Sequence, residues 1–329
     1  MFVLKSDSNE AYYNLALEEY LLNNYKEDFF IIDSNEPSII LGINQNAYEE
    51  INVLYAKKSS IKVGRRITGG GTIFQDQGNL NFSYIYKDDN SDLYDFKKIS
   101  KIIADFLKEK LNLDITFTGY SHLLINGKKF GGYTKLRIND KILLHSTLVF
   151  KSNKKFLVDA YKLQQHRDYD RALRSTHEKV TSISAHLPET FSMSKFKESF
   201  FNYILEIFPD IQQFELSKED NENIKELVKN KYSTWEWNYG KEIVANFSNR
   251  LSTKAGNVEI CLQIEENVMK QVRIFGDFFS QKNIKDLEDA LRNCVYEKNA
   301  IEKVISGYNL NDYLEMIDKD EFINCFFKN

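Results

Sequence analysis

The run Arg65-Arg66-Ile67-Thr68-Gly69-Gly70-Gly71-Thr72 is the part of this chain best suited to chemistry. Glycine lacks a Cβ, so a ligand can lie directly on three consecutive peptide units. Successive free N–H groups in such a turn form a concavity that attracts anions. Arginine beside it adds a forked, permanent cation for phosphate or carboxylate. The plainer alternative is a tight turn with two solvated arginines. A second candidate is locally basic: Lys128, Lys129, Lys135 and Arg137 stand against only Asp140, and Gly131-Gly132 follows Lys129-Phe130. Strand alternation puts Lys129 and Phe130 on opposite faces. Lys129 can then meet an anion while Phe130 enters the core; a solvated hairpin tip is the alternative. His145 shares a strand face with Leu143 and Thr147, and both a core histidine and a site residue are open there.

Other chemistries find no support. The histidines at 122, 145, 166, 177 and 186 have no HxxxH spacing. No GxSxG, no Gly-Lys-Ser/Thr after the glycines and no GxGxxG after a strand occurs. Cys261, Cys294 and Cys325 are scattered, which suits a reducing cytoplasm rather than a disulfide framework or a zinc site. A net charge of −4 excludes a chain-wide nucleic-acid surface. No apolar run approaches the ~20 residues of a membrane span, and no leader is read at Met1 to Lys5.

Elements must hold these candidates in place. Hydrophobic content of 42% and aromatic content of 14% suffice for a core, and 329 residues suggest two domains. A helix should start at Asp7-Ser8-Asn9-Glu10, capped from three residues before Glu10, and run to about Asn23. Short strands are expected at 29–33, 38–42 and 60–64, and a hairpin over 73–84. Phe96, Ile99, Ile103, Phe106 and Leu107 have helical spacing. Further strands fall at 115–117 and 123–125, then Asn126-Gly127 marks a hairpin turn. Residues 136–150 form another hairpin around Asn139-Asp140, and helices follow at 195–208 and 221–229. After Trp235-Glu236-Trp237-Asn238-Tyr239-Gly240 the pattern changes: Val258, Ile260, Leu262 and Ile264 alternate, and Ile284, Leu287, Leu291 and Val295 suggest a helix. The expected division is 1–245 and 246–329.

Together these pieces resemble the lipoate–protein ligase family. Asn14-Leu15-Ala16-Leu17-Glu18-Glu19 is similar to its N-terminal helix. Residues 65–74 resemble its RRxSGGGAVFHD signature, and Gly78-Asn79 continues it. Gly127-Lys128-Lys129-Phe130-Gly131-Gly132 resembles the lysine segment GKKFSGNA, and His145-Ser146-Thr147-Leu148 the HHGTLL strand. Lys179-Val180-Thr181-Ser182-Ile183 is similar to SRVTNI, and residues 235–240 to WEWNYG. The likeness spans essentially the whole chain.

The resemblance implies an α+β protein: a large mixed α/β catalytic domain of the biotin/lipoate ligase type plus a small α+β accessory domain. It implies ATP and lipoate as substrates, with Mg2+ accompanying ATP. Lipoate would be activated to lipoyl-AMP and passed to a lysine of an acceptor lipoyl domain, on a 2-oxoacid dehydrogenase E2 subunit or the glycine cleavage H protein. Lys129 would polarise the mixed anhydride as the catalytic residue. Arg66, Gly69, Gly70, Gly71, Thr72, Ile73, Phe74, Asn79, His145 and Thr147 would join it in binding ATP and the adenylate, in a cytoplasmic protein that uses neither nucleic acid nor membrane. Metal ligands are not assigned by the resemblance.

Departures from the family pattern are Gln75 for histidine, Ser121-His122 for Asn-Asp, Gly131 for serine, Tyr133-Thr134 for small residues, Ser146 for glycine and Lys179 for arginine. Without an Asp at 122, metal handling would fall to Asp76 or water. Tyr133 would narrow the acyl tunnel or cover the adenylate. An ATP-independent lipoyl or octanoyl transferase is the alternative within the fold, though every cysteine falls after residue 260. A non-catalytic lipoate- or lipoyl-domain-binding protein is the alternative outside catalysis. The basic GRGRRGR-type loop of biotin ligases is absent.

Overall fold

Along the strand Lys141–Val149, side chains alternate between two surroundings, as a period of two requires. Ile142, Leu144 and Leu148 enter an apolar core. On the other face Leu143 packs into a second core, but His145 and Thr147 beyond it line a cavity. That change along one strand marks where the sheet stops covering core and starts building a site. The protein is seen in a computed structural model that describes residues 1–88, 96–118, 122–151, 180–240, 243–253 and 256–327.

In chain order the strands of the catalytic part are β1 (Phe2–Lys5), β2 (Phe29–Asp33), β3 (Ser38–Leu41), β4 (Lys62–Arg65), β5 (Ile73–Gln75), β6 (Asn79–Lys87), β7 (Thr116–Thr118), β8 (His122–Ile125), β9 (Lys128–Ile138), β10 (Lys141–Val149) and β11 (Gln212–Gln213). Eight of them form one sheet in the order β11-β1-β2-β6-β10-β9-β8-β7, and β4-β3-β5 form a smaller one. Helix α1 (Ala11–Asn24) covers one face of the large sheet, with Ala11, Leu15 and Leu21 packed on Phe29, Ile31 and Leu143. Helices α2 (Lys97–Leu111) and α3 (Met193–Ile207) cover the other, with Ile103, Phe106, Phe196 and Phe200 on Phe30, Phe82 and Leu144. Further on, β12 (Phe247–Thr253), β13 (Gly256–Glu265) and β14 (Val268–Gly276) make an antiparallel sheet with its own core. This is the expected mixed α+β architecture. No helix among the described residues is long and apolar enough to cross a membrane.

The Asn126-Gly127 and Asn139-Asp140 turns join β8 to β9 and β9 to β10, with Asn126, Gly127 and Asn139 at positive φ. Three expectations are corrected. Residues 73–84 are not a hairpin: β5 pairs β3, whereas β6 pairs β2 and β10. Alternation identifies strands but not their partners, and here the chain changes sheet at Asp76-Gln77-Gly78. No side chain caps α1; the Ser8 hydroxyl instead accepts the Glu10 N–H at 3.1 Å, a turn that ends just before the helix. Val295 is not helical: the helix Lys285–Leu291 stops, Asn293 turns at positive φ, and Val295 bridges to Val268.

Candidate active site

The glycine run links β4 to β5 across the end of β3, since those two strands flank β3 in the small sheet. Two arginines hold this crossing. Arg65 is fully buried, and its guanidinium donates to the carbonyls of Gly42 (2.8 Å), Gln45 (2.6 Å), Trp237 (3.0 Å) and Asn238 (2.8 Å). Burial lowers its pKa to about 10, so it stays protonated at neutral pH. Arg66 is also buried and donates to Ile40 (3.2 Å), Gly69 (2.6 Å) and Gly71 (2.9 Å) carbonyls and to Thr68 Oγ1 (3.1 Å). Its N–H groups therefore fold the turn around a cation. Gly42 lies beneath: a Cβ there would overlap the Gly70 carbonyl oxygen.

A cavity of about 320 Å³ opens beside this turn, within the range of small-ligand sites. Arg66, Gly70, Gly71, Thr72, Ile73, Phe74 and Asn79 line it from the glycine side. Lys128, Lys129, Gly131, Gly132 and Thr134 of β9 line the opposite side, with His145 and Thr147 of β10. The two clusters, some 60 residues apart in sequence, thus share one cavity. Thr68 and Thr134 hydroxyls tie them together at 2.7 Å. Lys129 is further fixed by a parallel bridge to Val180 and by its carbonyl accepting the Thr181 N–H at 2.8 Å. Phe130 enters the core and also borders the cavity. The β8–β9 register shifts here, pairing Leu123 with Gly131 but Leu124 with Lys129, so an irregularity at Phe130 rather than strict alternation sets its direction.

Gly69 is not among the lining residues; a Cβ there would meet the Phe278 carbonyl oxygen at 2.7 Å. Asn79 Nδ2 donates to the Phe74 carbonyl at 3.3 Å, and its buried Oδ1 accepts no hydrogen bond among the described residues.

A model of the lipoyl protein ligase A/B catalytic domain matches residues 10–205, and one of the bacterial lipoate protein ligase C-terminus matches 244–326. Lipoate–protein ligase 1 of Staphylococcus aureus (strain Mu50) is 33% identical over 98% of this chain and 98% of its own. The chain belongs to the lipoate–protein ligase family. Among solved structures, LipL1 of P. falciparum in complex with lipoate superposes with a TM-score of 0.79, at 20% identity over 98% of this chain and 97% of that one. A lipoate–protein ligase A bound with ATP gives 0.62, at 23% identity over 73% and 98%.

The ligase's departures from the family pattern have structural explanations where they are described. Gln75 lies outside the lining residues and braces them: its Nε2 donates to Thr147 Oγ1 at 2.8 Å, and its Oε1 accepts from Asn35 at 2.7 Å. Thr147 in turn donates to Asn81 Oδ1 at 2.9 Å, and Asn81 donates to Asp33 at 2.8 Å. His145 Nδ1 stands 3.5 Å from Glu18, which Ser83 also contacts. Burial pushes the Asp33 carboxyl up to about 7 against the opposing Asn81 hydrogen bond. These groups form a polar floor behind His145 and Thr147, around a small second cavity of about 20 Å³. Tyr133 borders the main cavity while much of its side chain is buried. The ring stacks on Phe96 at 4.9 Å in the core, and its hydroxyl meets Ser100. Asp76 accepts the Gly78 N–H at 2.8 Å and does not line the cavity. His122 does line it. Of the basic cluster, Lys135 is buried over the Tyr86 ring and Arg137 pairs with Asp88. Ser121, Lys179, His166 and His177 lie outside the described residues.

Sequence reasoning missed Thr134, Val149, Val180, Thr181, Ser182, Ala185 and Phe279 as wall residues. The likeness to SRVTNI was the one available signal for the 180–185 segment. Phe279 had none.

Proposed function

We propose that this ligase works in two steps at the one cavity. A lipoate carboxylate oxygen attacks the α-phosphorus of ATP, and pyrophosphate leaves. The lysine amine of an acceptor lipoyl domain then attacks the lipoyl carbonyl; the amide C–N bond forms, the C–O bond to phosphate breaks, and AMP leaves. The observation that carries this reading is that Arg66, Lys129 and the glycine turn line the same space. Both steps gather negative charge at one phosphate and carbonyl, where fixed cations and N–H groups act most strongly. Lys129 polarises the mixed anhydride. Arg66, with Gly69 supporting the turn from outside, presents Gly70, Gly71, Thr72 and Ile73 to the phosphates. Phe74 and Asn79 take the nucleoside, and the unpartnered Asn79 Oδ1 offers an acceptor to a base N–H. His145 and Thr147 line the acyl end.

Residues 1–245 act as the catalytic domain and 246–329 as the accessory domain. No group of three or more His, Cys, Asp or Glu able to hold a metal occurs among the described residues. The chain thus offers no built metal cage there, and Mg2+ rides on the phosphates, as it commonly does. An E2 lipoyl domain or an H protein is the acceptor, in a reducing cytoplasm that suits Cys261, Cys294 and Cys325, none of which is in a disulfide.

ATP–pyrophosphate exchange is the test. Exchange that requires lipoate supports the reading. Acyl transfer between proteins with no exchange replaces it with the transferase, and neither activity leaves a binding protein.

A further inference from the structure

The bare backbone at Gly69 and Gly70 is covered by the C-terminal part of the chain. A Cβ on Gly69 would meet Phe278 O at 2.7 Å and the Phe279 ring at 3.3 Å; one on Gly70 would meet that ring at 3.2 Å. Phe279 also lines the catalytic cavity. It follows Phe278, which is fully buried in the C-terminal core, and its carbonyl accepts the Glu315 N–H at 3.1 Å. The ring is therefore held by the C-terminal part and presented to the catalytic part.

The loop after β3 sets its position. The Asn44 carbonyl accepts the Gly276 N–H at 2.9 Å, and Asn44 Nδ2 donates to Ser280 Oγ at 3.2 Å. Neighbouring Gln45 turns the other way: its Oε1 accepts from the Gly42 N–H at 2.9 Å and from Thr72 Oγ1 at 2.8 Å. One short loop thus grips both Phe278–Ser280 and the far end of the glycine turn.

We propose that Phe279 is a positioning residue for ATP, seated by Asn44. Glycine has more conformational freedom to lose than any other residue. With the ring packed on Gly69 and Gly70, that loss is met before the nucleotide arrives. Without the ring, ATP must order the turn as it binds, which weakens its affinity. Lipoate, seated at the other end, is spared. The inference rests on the adenylation reading above.

The test is lipoate-dependent ATP–pyrophosphate exchange on the full chain, with ATP and lipoate varied separately. Phe279→Ala should raise the ATP KM roughly ten-fold, the size of a lost aromatic contact. The lipoate KM should stay within about two-fold, and kcat at saturating ATP should be retained, as for lost uniform binding. Phe279→Leu should recover part of the effect, and it carries the test if the alanine variant fails to fold. Asn44→Ala should raise the ATP KM less, and the double variant should be no worse than Phe279→Ala, because coupled residues are not additive. An unchanged ATP KM in the Phe279 variants, or equal rises for both substrates, overturns the inference. Absence of lipoate-dependent exchange in the wild type overturns the adenylation reading itself.

Discussion

At the glycine end of the cavity, Arg65 and Arg66 are buried cations whose described hydrogen bonds end on carbonyl and hydroxyl oxygens. At the floor, Asp33 is a buried acid that burial drives toward its neutral form. The difference lies in what is done with charge. Carbonyl oxygens hold a guanidinium in place without removing its charge, which suits a site that must meet an anion. Below about pH 7 burial favours the protonated Asp33 carboxyl, which lessens the charge at that point of the floor. The first arrangement suits phosphate chemistry and the second suits an uncharged acyl tail. Substitutions of the cations and glycines that face the phosphates should therefore damage turnover most, and those at the floor should act mainly on tail binding and stability.

The strongest break is Lys129→Ala. Adenylation should fall by about 10²–10³, the usual cost of losing one preorganised charge donor, while denaturant unfolding stays near wild type. Wild-type exchange rates in that variant would remove Lys129 from the chemistry. Gly42→Ala comes next. Its Cβ overlaps the Gly70 carbonyl oxygen, so the turn must shift as a unit. Overpacking of this kind costs ~1–3 kcal/mol, and ATP affinity measured by titration should fall with it. An unaltered affinity would show that the turn's shape is not what binds the nucleotide.

Thr147→Val sharpens the contrast from the other side. It removes the hydroxyl that joins Gln75 to Asn81 and strands two buried amides. The expected cost is ~1–3 kcal/mol of stability, read by urea unfolding. Lipoate KM should rise while the ATP KM holds. A larger effect on ATP than on lipoate would assign the floor to the nucleotide.

How much of this could be read from residues alone follows the range of the contacts. The glycine turn and the lysine strand are local patterns, set by missing Cβ atoms and residue type, whereas the register shift at Phe130 depends on pairing with β8 and was not legible. Asn-Gly and Asn-Asp turns fix the β8–β9–β10 meander for the same local reason. Gly69 illustrates where that stops. A missing Cβ signals a close approach but not by what, and at Gly69 the visitor is Phe278–Phe279, over 200 residues later in the chain. Tyr133 looked like an obstruction because its strand phase relative to β10 depends on pairing, which no single strand encodes. Opposite Ser146 it faces the helices. The pairing of Gln75 with Thr147 is equally long-range, so a residue outside the lining set was indistinguishable from one within it.

Asp33→Asn makes the finest cut, with the smallest expected effect on turnover. The folded protein holds the Asp33 proton up to about pH 7, whereas an ordinary aspartate loses it near 3.8. Burial is the main cause, the nearby Glu18 adds to it, and Asn81 and Lys197 oppose it. Because the folded state binds the extra proton, the stabilising contribution is complete below pH 3.8 and is lost as pH rises through about 7. Wild-type stability should accordingly fall relative to Asp33→Asn across that window, with a slope of at most ~1.4 kcal/mol per pH unit. Above it the difference should level off. The asparagine keeps an oxygen for Asn81 and carries no proton to lose, so its unfolding midpoint in urea should lack this component. Parallel profiles for the two proteins between pH 4 and 8 would mean that Asp33 is already ionised in the fold, and the floor would then carry its charge.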